Sequence, residues 1–223
     1  MLNQNQNGVV SGMNDRKSSA KEIAYFMRRL YKQRLTTTSG GNISARCGNN
    51  VLITPSATDK GRMEGKQIGC MDLNGNIVGA KFKPTIESRM HLEIYKRRPD
   101  VQAVVHAHPV TAGAFAASCR KISTAYLAEA YVVLGNIVYA EYCCQGTEEL
   151  AELIGNSAAG ANCIVMRNHG VITLGRSLLE AFDRLEVLEN AAQTTMICET
   201  ALKGDARELT PEQQQELDER FRN

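Results

Sequence analysis

Val101-Gln102-Ala103-Val104-Val105-His106-Ala107-His108-Pro109 carries the reading of this chain, because it joins an apolar strand to a His-x-His pair. Side chains in a strand alternate between faces, so His106 and His108, two residues apart, project to the same side. A second apolar run, Cys163-Ile164-Val165-Met166, reads as another buried strand, with Arg167-Asn168-His169-Gly170 just past its end. Three of the four histidines therefore stand in two short segments. Three neutral imidazoles with an open fourth position describe a catalytic zinc site better than a structural one. A lone His after an apolar run is more often a packing residue, so the three are candidates for one ion only if the fold brings them together.

Outward from that strand, helical and strand patterns alternate. Ser19-Ala20-Lys21-Glu22 is a possible capping box, and Ile23, Phe26, Met27, Leu30 and Tyr31 share one helical face. Asn42–Arg46 and Val51–Thr54 read as strands about a Gly48-Asn49-Asn50 turn, and Gln67–Asp72 and Ile77–Ala80 as strands about Asn74-Gly75. Thr85–Arg98 reads as a helix with Ile86, Met90 and Ile94 on one side, and about 110–118 as an Ala-rich helix. Tyr131–Val133, Ile137–Tyr139 and Val171–Leu174 read as strands. Thr147 caps one further helix, and Ser177 to Glu180 opens a long one ended by Gly204. Short hairpins among alternating helices predict one α/β domain: three layers, α/β/α, with a mixed, mainly antiparallel central sheet. Residues 1–16 are expected to form a disordered leader, with Met13 a candidate natural start. Residues 17–204 form the domain, and 205–223 a polar tail that is either a loose helix or disordered.

Composition narrows the function classes. At 223 residues, with 43% hydrophobic and 22% charged residues and a net charge of +2, the chain suits one globular domain. It offers no electrostatic reason to bind nucleic acid or an anionic membrane, and no apolar run reaches membrane-span length. The polar N-terminus lacks a signal-peptide core. Seven cysteines, odd in number and without Cys-x-x-Cys, fit a reducing cytoplasm rather than a disulfide framework; Cys163 reads as a core residue.

Six segments in order carry a resemblance. They are Ser39-Gly40-Gly41-Asn42-Ile43-Ser44, Leu52-Ile53-Thr54-Pro55-Ser56, Lys83-Pro84-Thr85-Ile86-Glu87, His106-Ala107-His108, Gly146-Thr147-Glu148-Glu149-Leu150 and Asn168-His169-Gly170. Together, from roughly Glu22 to Glu199, the chain resembles the class II aldolase/adducin family. The resemblance implies that His106, His108 and His169 hold Zn²⁺, with Co²⁺, Mn²⁺ or Fe²⁺ as alternatives. It implies that Glu87 is the acid/base and reaches the metal when substrate is absent. It implies substrate-phosphate binding at Gly41-Asn42, Ser56-Ala57 and Thr85-Ile86, and a ring-shaped homotetramer.

The expected reaction is cleavage of a fuculose-phosphate-like ketose 1-phosphate to dihydroxyacetone phosphate and an aldehyde, through an enediolate that the metal stabilises. Glu87 is expected early in its helix, where the dipole favours a carboxylate; that placement alone would also suit an ordinary surface Glu. His91, four residues on, is read as a packing or polar partner. Three positions depart from the family pattern: Ile86 replaces a hydroxyl side chain, Ala57 a Gly, and Asn168 a His outside the ligand set. The rivals are a 4-epimerase or dehydratase on the same metal site, a non-catalytic adducin-like module, and a Schiff-base aldolase. The last needs a desolvated lysine, whereas Lys60, Lys66, Lys81 and Lys83 stand among polar neighbours.

Overall fold

The protein, described here by a computed structural model over residues 5–221, is built on one seven-stranded sheet. Its strands are β1 (Asn42–Cys47), β2 (Asn50–Ile53), β3 (Gly69–Asp72), β4 (Ala103–Ala107), β5 (Ile137–Ala140), β6 (Cys163–Met166) and β7 (Gly170–Gly175). Their spatial order is β3-β2-β1-β4-β7-β6-β5. Every neighbouring pair is antiparallel except β5 with β6, so the sheet is mixed and mainly antiparallel, as expected.

Strand parity makes the layers. On β4, Ala103, Val105 and Ala107 join one core with α1 (Asn5–Lys32), α3 (Val110–Ala116) and α6 (Leu178–Thr200). Val104 joins a second core on the other face with α2 (Ser88–Arg97) and α5 (Glu148–Ala158). Val104 and Val105 are both 0% exposed, and burying a side chain of that size contributes about 1.5–3 kcal/mol. His106 has the parity of Val104, so the alternation that buries the valines also turns its imidazole toward α2.

Helix ends follow their caps. Thr147 Oγ1 accepts the Leu150 N–H at the start of α5, and Ser177 Oγ accepts the Glu180 N–H at the start of α6. Cys163 is fully buried in β6, and all seven cysteines are free. No helix among the described residues is long and apolar enough to cross a membrane.

Several expectations are corrected. α1 begins at Asn5, so residues 5–16 have helical backbone where a disordered leader was expected, and Ser19 lies inside the helix rather than at its cap; residues 1–4 lie outside the described residues. Tyr131–Val133, expected as a strand, falls within helix α4 (Ala128–Leu134). Good helix formers flank the two valines, and Ala130 and Leu134, four apart, bury one face. Ile77–Ala80 makes a single bridge, Met71 with Ile77, before Gly79 turns away at φ 91°. α2 starts at Ser88, not Thr85, leaving Thr85 and Ile86 in a turn and Glu87 at the N-cap position. Of the two forms expected for the C-terminal tail, the structure has the helix, α7 (Pro211–Phe221). It opens on a capping box: Thr210 Oγ1 accepts the Gln213 N–H and Gln213 Oε1 accepts the Thr210 N–H. The tail is tied down through Leu209 N–H to Ala125 O and Ser123 to Glu208.

Candidate functional site

The antiparallel register collects the distant segments at one end of the central strands. Asn42, opening β1, lies opposite His106 near the end of β4, and Ala107 lies opposite Val171 near the start of β7. The three-residue turn Arg167–His169 between β6 and β7 projects at that same end. The His106, His108 and His169 rings have centroids 4.7, 4.9 and 5.6 Å apart, and one nitrogen from each falls within 4.8 Å of the others.

Each imidazole is held by its surroundings. His106 is 0% exposed, and its Nδ1 lies 2.9 Å from Val171 O. A carbonyl only accepts, so Nδ1 carries the proton and Nε2 presents its lone pair to the site. His108 is placed by its backbone N–H, which donates to Leu35 O, and its ring lies between two glycines. A Cβ at Gly40 would stand 2.9 Å from His108 Nδ1, and one at Gly170 only 2.5 Å from His108 Cδ2. His169 follows Asn168, which adopts φ 53°, a left-handed conformation that Asn tolerates better than most residues. Buried Glu189 steadies the helix that follows His108-Pro109, accepting the N–H groups of Thr111 and Ala112.

Glu87 closes the fourth side. It is buried, with Oε1 2.9 Å from His169 Nε2 and Oε2 3.3 Å from His106 Nε2. Burial pushes its carboxyl up, but the adjacent His106 and His169 imidazoles and the Asn42 amide outweigh that and hold it well below the usual carboxylate range. Burial, with His106 and His169 nearby, brings His108 down to about 4, the neutral form that a metal ligand needs. For His106, burial alone would lower the pKa, but the Glu87 carboxylate raises it overall.

A buried relay fixes Glu87 from behind. Burial raises the Tyr95 phenol pKa, so Tyr95 Oη–H donates to Ser44 Oγ (2.9 Å) and Ser44 donates to His91 Nδ1 (2.7 Å). His91 Nε2 donates to Asn42 Oδ1, and Asn42 Nδ2 donates to Glu87 Oε2 at 2.8 Å. These directions are assigned from the network. They agree with a His91 held neutral by burial, its pKa brought down to about 3. His91 is thus a polar partner, as expected.

The donor set fits a divalent cation. His106 Nε2, His108 Nε2, both nitrogens of His169 and Glu87 Oε1 are buried without a hydrogen-bond partner. Buried polar atoms are otherwise almost always satisfied, and three convergent imidazoles with a carboxylate are the ligands that zinc and similar ions take.

Beside the cluster is a cleft of about 150 Å³, in which Glu87 and His108 meet all six residues expected at the substrate: Gly41, Asn42, Ser56, Ala57, Thr85 and Ile86. Gly41 has φ 66°, and a Cβ there would meet His106 O at 2.8 Å, so the turn requires glycine. Ala57 keeps the left-handed conformation at φ 52°, which explains why a Gly suits this position. Ile86 is 59% exposed, so it replaces no core residue. Lys60 and Gln145 also line the cleft. Lys60 corrects the expectation drawn from its polar neighbours: it is 1% exposed. A larger hollow of about 450 Å³ between α2 and α5 is walled by surface groups such as the Arg89–Glu148 pair and, among the described residues, holds no metal-ligand cluster.

The family model for the class II aldolase and adducin N-terminal domain matches residues 21–196. The chain belongs to this family. Among class II aldolases it is 39% identical over 168 residues to an L-fuculose phosphate aldolase of Methanococcus maripaludis, covering 75% of this chain and 91% of that protein. It is 31% identical over 175 residues to a 3-oxo-tetronate 4-phosphate decarboxylase of Haemophilus influenzae, covering 74% and 81%. Its fold matches a solved L-fuculose 1-phosphate aldolase with a TM-score of 0.80 at 30% identity, over 92% of this chain and 96% of the other. The three-layer architecture is that of the class II aldolases.

Proposed function

We propose that this class II aldolase-family chain cleaves the C3–C4 bond of a fuculose-phosphate-like ketose 1-phosphate, giving dihydroxyacetone phosphate and an aldehyde. The observation that carries this reading is the set of unpartnered ligand atoms on His106, His108, His169 and Glu87, opening onto a cleft walled by backbone turns and small hydroxyls. Those four residues would hold the ion, Zn²⁺ being the best match, with Co²⁺, Mn²⁺ or Fe²⁺ as alternatives. When bound, such an ion is a Lewis acid that polarises a hydroxyketone and offsets the negative charge left as the C–C bond breaks.

The chain's own residues supply the rest. Glu87 moves the proton: the C4 hydroxyl loses one as the bond breaks, and C3 gains one as dihydroxyacetone phosphate forms. Asn42, held by the relay to Tyr95, keeps Glu87 Oε2 in place beside His106 while Oε1 faces His169. Amides and hydroxyls of Gly41, Asn42, Ser56, Ala57, Thr85 and Ile86 orient the phosphate. A homotetramer and a cytoplasmic setting complete the reading; light scattering that gives a monomer at assay concentration would reject the assembly.

The decarboxylase relative supports a second reading on the same residues, in which the bond broken releases carbon dioxide; a 4-epimerase or dehydratase would also use them. Product analysis separates these, since only the aldolase yields dihydroxyacetone phosphate with an aldehyde. Glu87→Gln tests the core of the proposal. It should lower kcat by about 10²–10⁴ with metal retained, and an unchanged kcat on the true substrate would reject Glu87 as the acid/base.

A further inference from the structure

Lys60 opens a short 3-10 turn, Lys60–Arg62, between the two loops that flank the cleft. Its backbone N–H donates to Thr38 O at 2.9 Å, beside the Ser39–Gly41 turn. Its Nζ donates to Pro55 O at 2.9 Å, beside Ser56, and reaches Thr58 Oγ1 only at 3.5 Å. Both partners are neutral. The adjacent carboxylate, Asp59, is occupied by the Gly61 N–H and by Arg62, and among the described residues Lys60 forms no ion pair. An ammonium carries three donors, so at least one remains free at the cleft wall. A buried charge without a counter-charge is costly, and burial alone lowers this pKa to about 8, which leaves the group mostly protonated at neutral pH. The cleft also lacks a side-chain donor at position 86, where Ile86 brings only its amide.

We propose that Lys60 is the cationic contact for the phosphate dianion of the substrate, supplying from beneath the Ser56 loop the donor that Ile86 lacks. The inference rests on the phosphorylated-substrate reading above and adds to it a specificity-determining residue. Phosphate monoesters accept strongly from ammonium groups, and in this cleft the charge would be shared with the Gly41, Ser56 and Thr85 donors.

The test uses the metal-loaded protein with Lys60→Met and Lys60→Gln, the latter retaining a donor for Pro55 O. Binding of glycerol 3-phosphate, with glycerol as the uncharged control, is measured by calorimetry, and KM and kcat are compared for a ketose 1-phosphate and its unphosphorylated sugar. Loss of one charged hydrogen bond should weaken glycerol 3-phosphate binding and raise KM for the phosphorylated sugar by roughly 10- to 100-fold. Metal content should stay near wild type, and the loss should be much larger for the phosphorylated sugar than for the unphosphorylated one. Variants that bind glycerol 3-phosphate as well as wild type does, or that lose both sugars equally, would overturn the role of Lys60. Failure of both variants to fold would make Lys60 a staple for the Pro55 loop and also reject the proposal. If the wild type itself does not prefer glycerol 3-phosphate to glycerol, the phosphorylated-substrate reading fails with it.

Discussion

His91→Leu is the sharpest test of how this site is held together. Leucine is close enough in volume to fill the space but deletes both ring nitrogens. Asn42 Oδ1 then loses its donor, and the Ser44 hydroxyl, though it keeps Tyr95, loses its acceptor. Asn42 is 2% exposed and Ser44 0%, so water cannot take the place of the ring. A buried polar group stranded in this way costs about 1–3 kcal/mol, so the pair should cost about 2–5 kcal/mol. At this chain length each kcal/mol lowers Tm by roughly 2–4 °C, which predicts a fall of roughly 4–20 °C by calorimetry. Asn42 would no longer be fixed against Glu87, so kcat should drop about 10- to 100-fold, less than in Glu87→Gln, with metal retained.

The pH dependence gives a second readout of the same substitution. Wild-type His91 stays neutral down to about pH 3, while in the unfolded chain it takes up a proton near pH 6.5. The unfolded state thus binds more protons in that window, and wild-type stability falls as pH drops through it; His91→Leu should flatten that slope. A variant that melts and turns over like wild type would show that the relay does not position Glu87.

Three further outcomes are expected. Elemental analysis should find about one divalent ion per chain, lost in His106→Ala and His169→Ala; full metal content in both variants would mean the site is misplaced. Gly170→Ala puts a methyl group 2.5 Å from His108 Cδ2 and 2.6 Å from Ala107 O, so it should reduce metal affinity by at least about tenfold, read by competition with a chelator; unchanged affinity would show that the His108 ring is free to move. Ile86→Ser changes an exposed side chain, so stability should shift by less than about 0.5 kcal/mol while KM for a ketose 1-phosphate falls about tenfold; a higher KM with a lower Tm would reject the missing-donor account.

Local signals in the sequence were enough for much of this. Period-two alternation around Val104 and Val105 placed the His106/His108 pair, and the caps at Thr147 and Ser177 placed α5 and α6. What the sequence concealed depends on contacts between distant segments. Lys60 is surrounded in sequence by Thr58, Asp59, Gly61 and Arg62, yet the Thr38 and Pro55 loops fold over it. The spacing of Glu87 and His91 suggested one helical face, but Glu87 lies before the first turn and reaches His91 through Asn42, 45 residues away from Glu87. The parallel β5–β6 pair leaves no local mark, and the α4 valines imitate a strand. The Thr210–Gln213 capping box was readable and would have settled the C-terminal helix.

The unpartnered nitrogens at this end of the strands also bear on how such a protein evolves. Without its ion the protein carries several buried polar atoms that nothing in the chain satisfies, each a cost of about 1–3 kcal/mol. They sit at the end of β4 and in the turns beside it, while most of the sheet's register is held by apolar residues that take no part in the chemistry. A descendant released from catalysis could therefore exchange the histidines for apolar residues and gain stability, keeping the scaffold for another use. This trade between stability and activity would be registered by melting the chelated protein beside a variant with all three histidines replaced; a variant no more stable than the chelated wild type would show that the bare site carries no such cost.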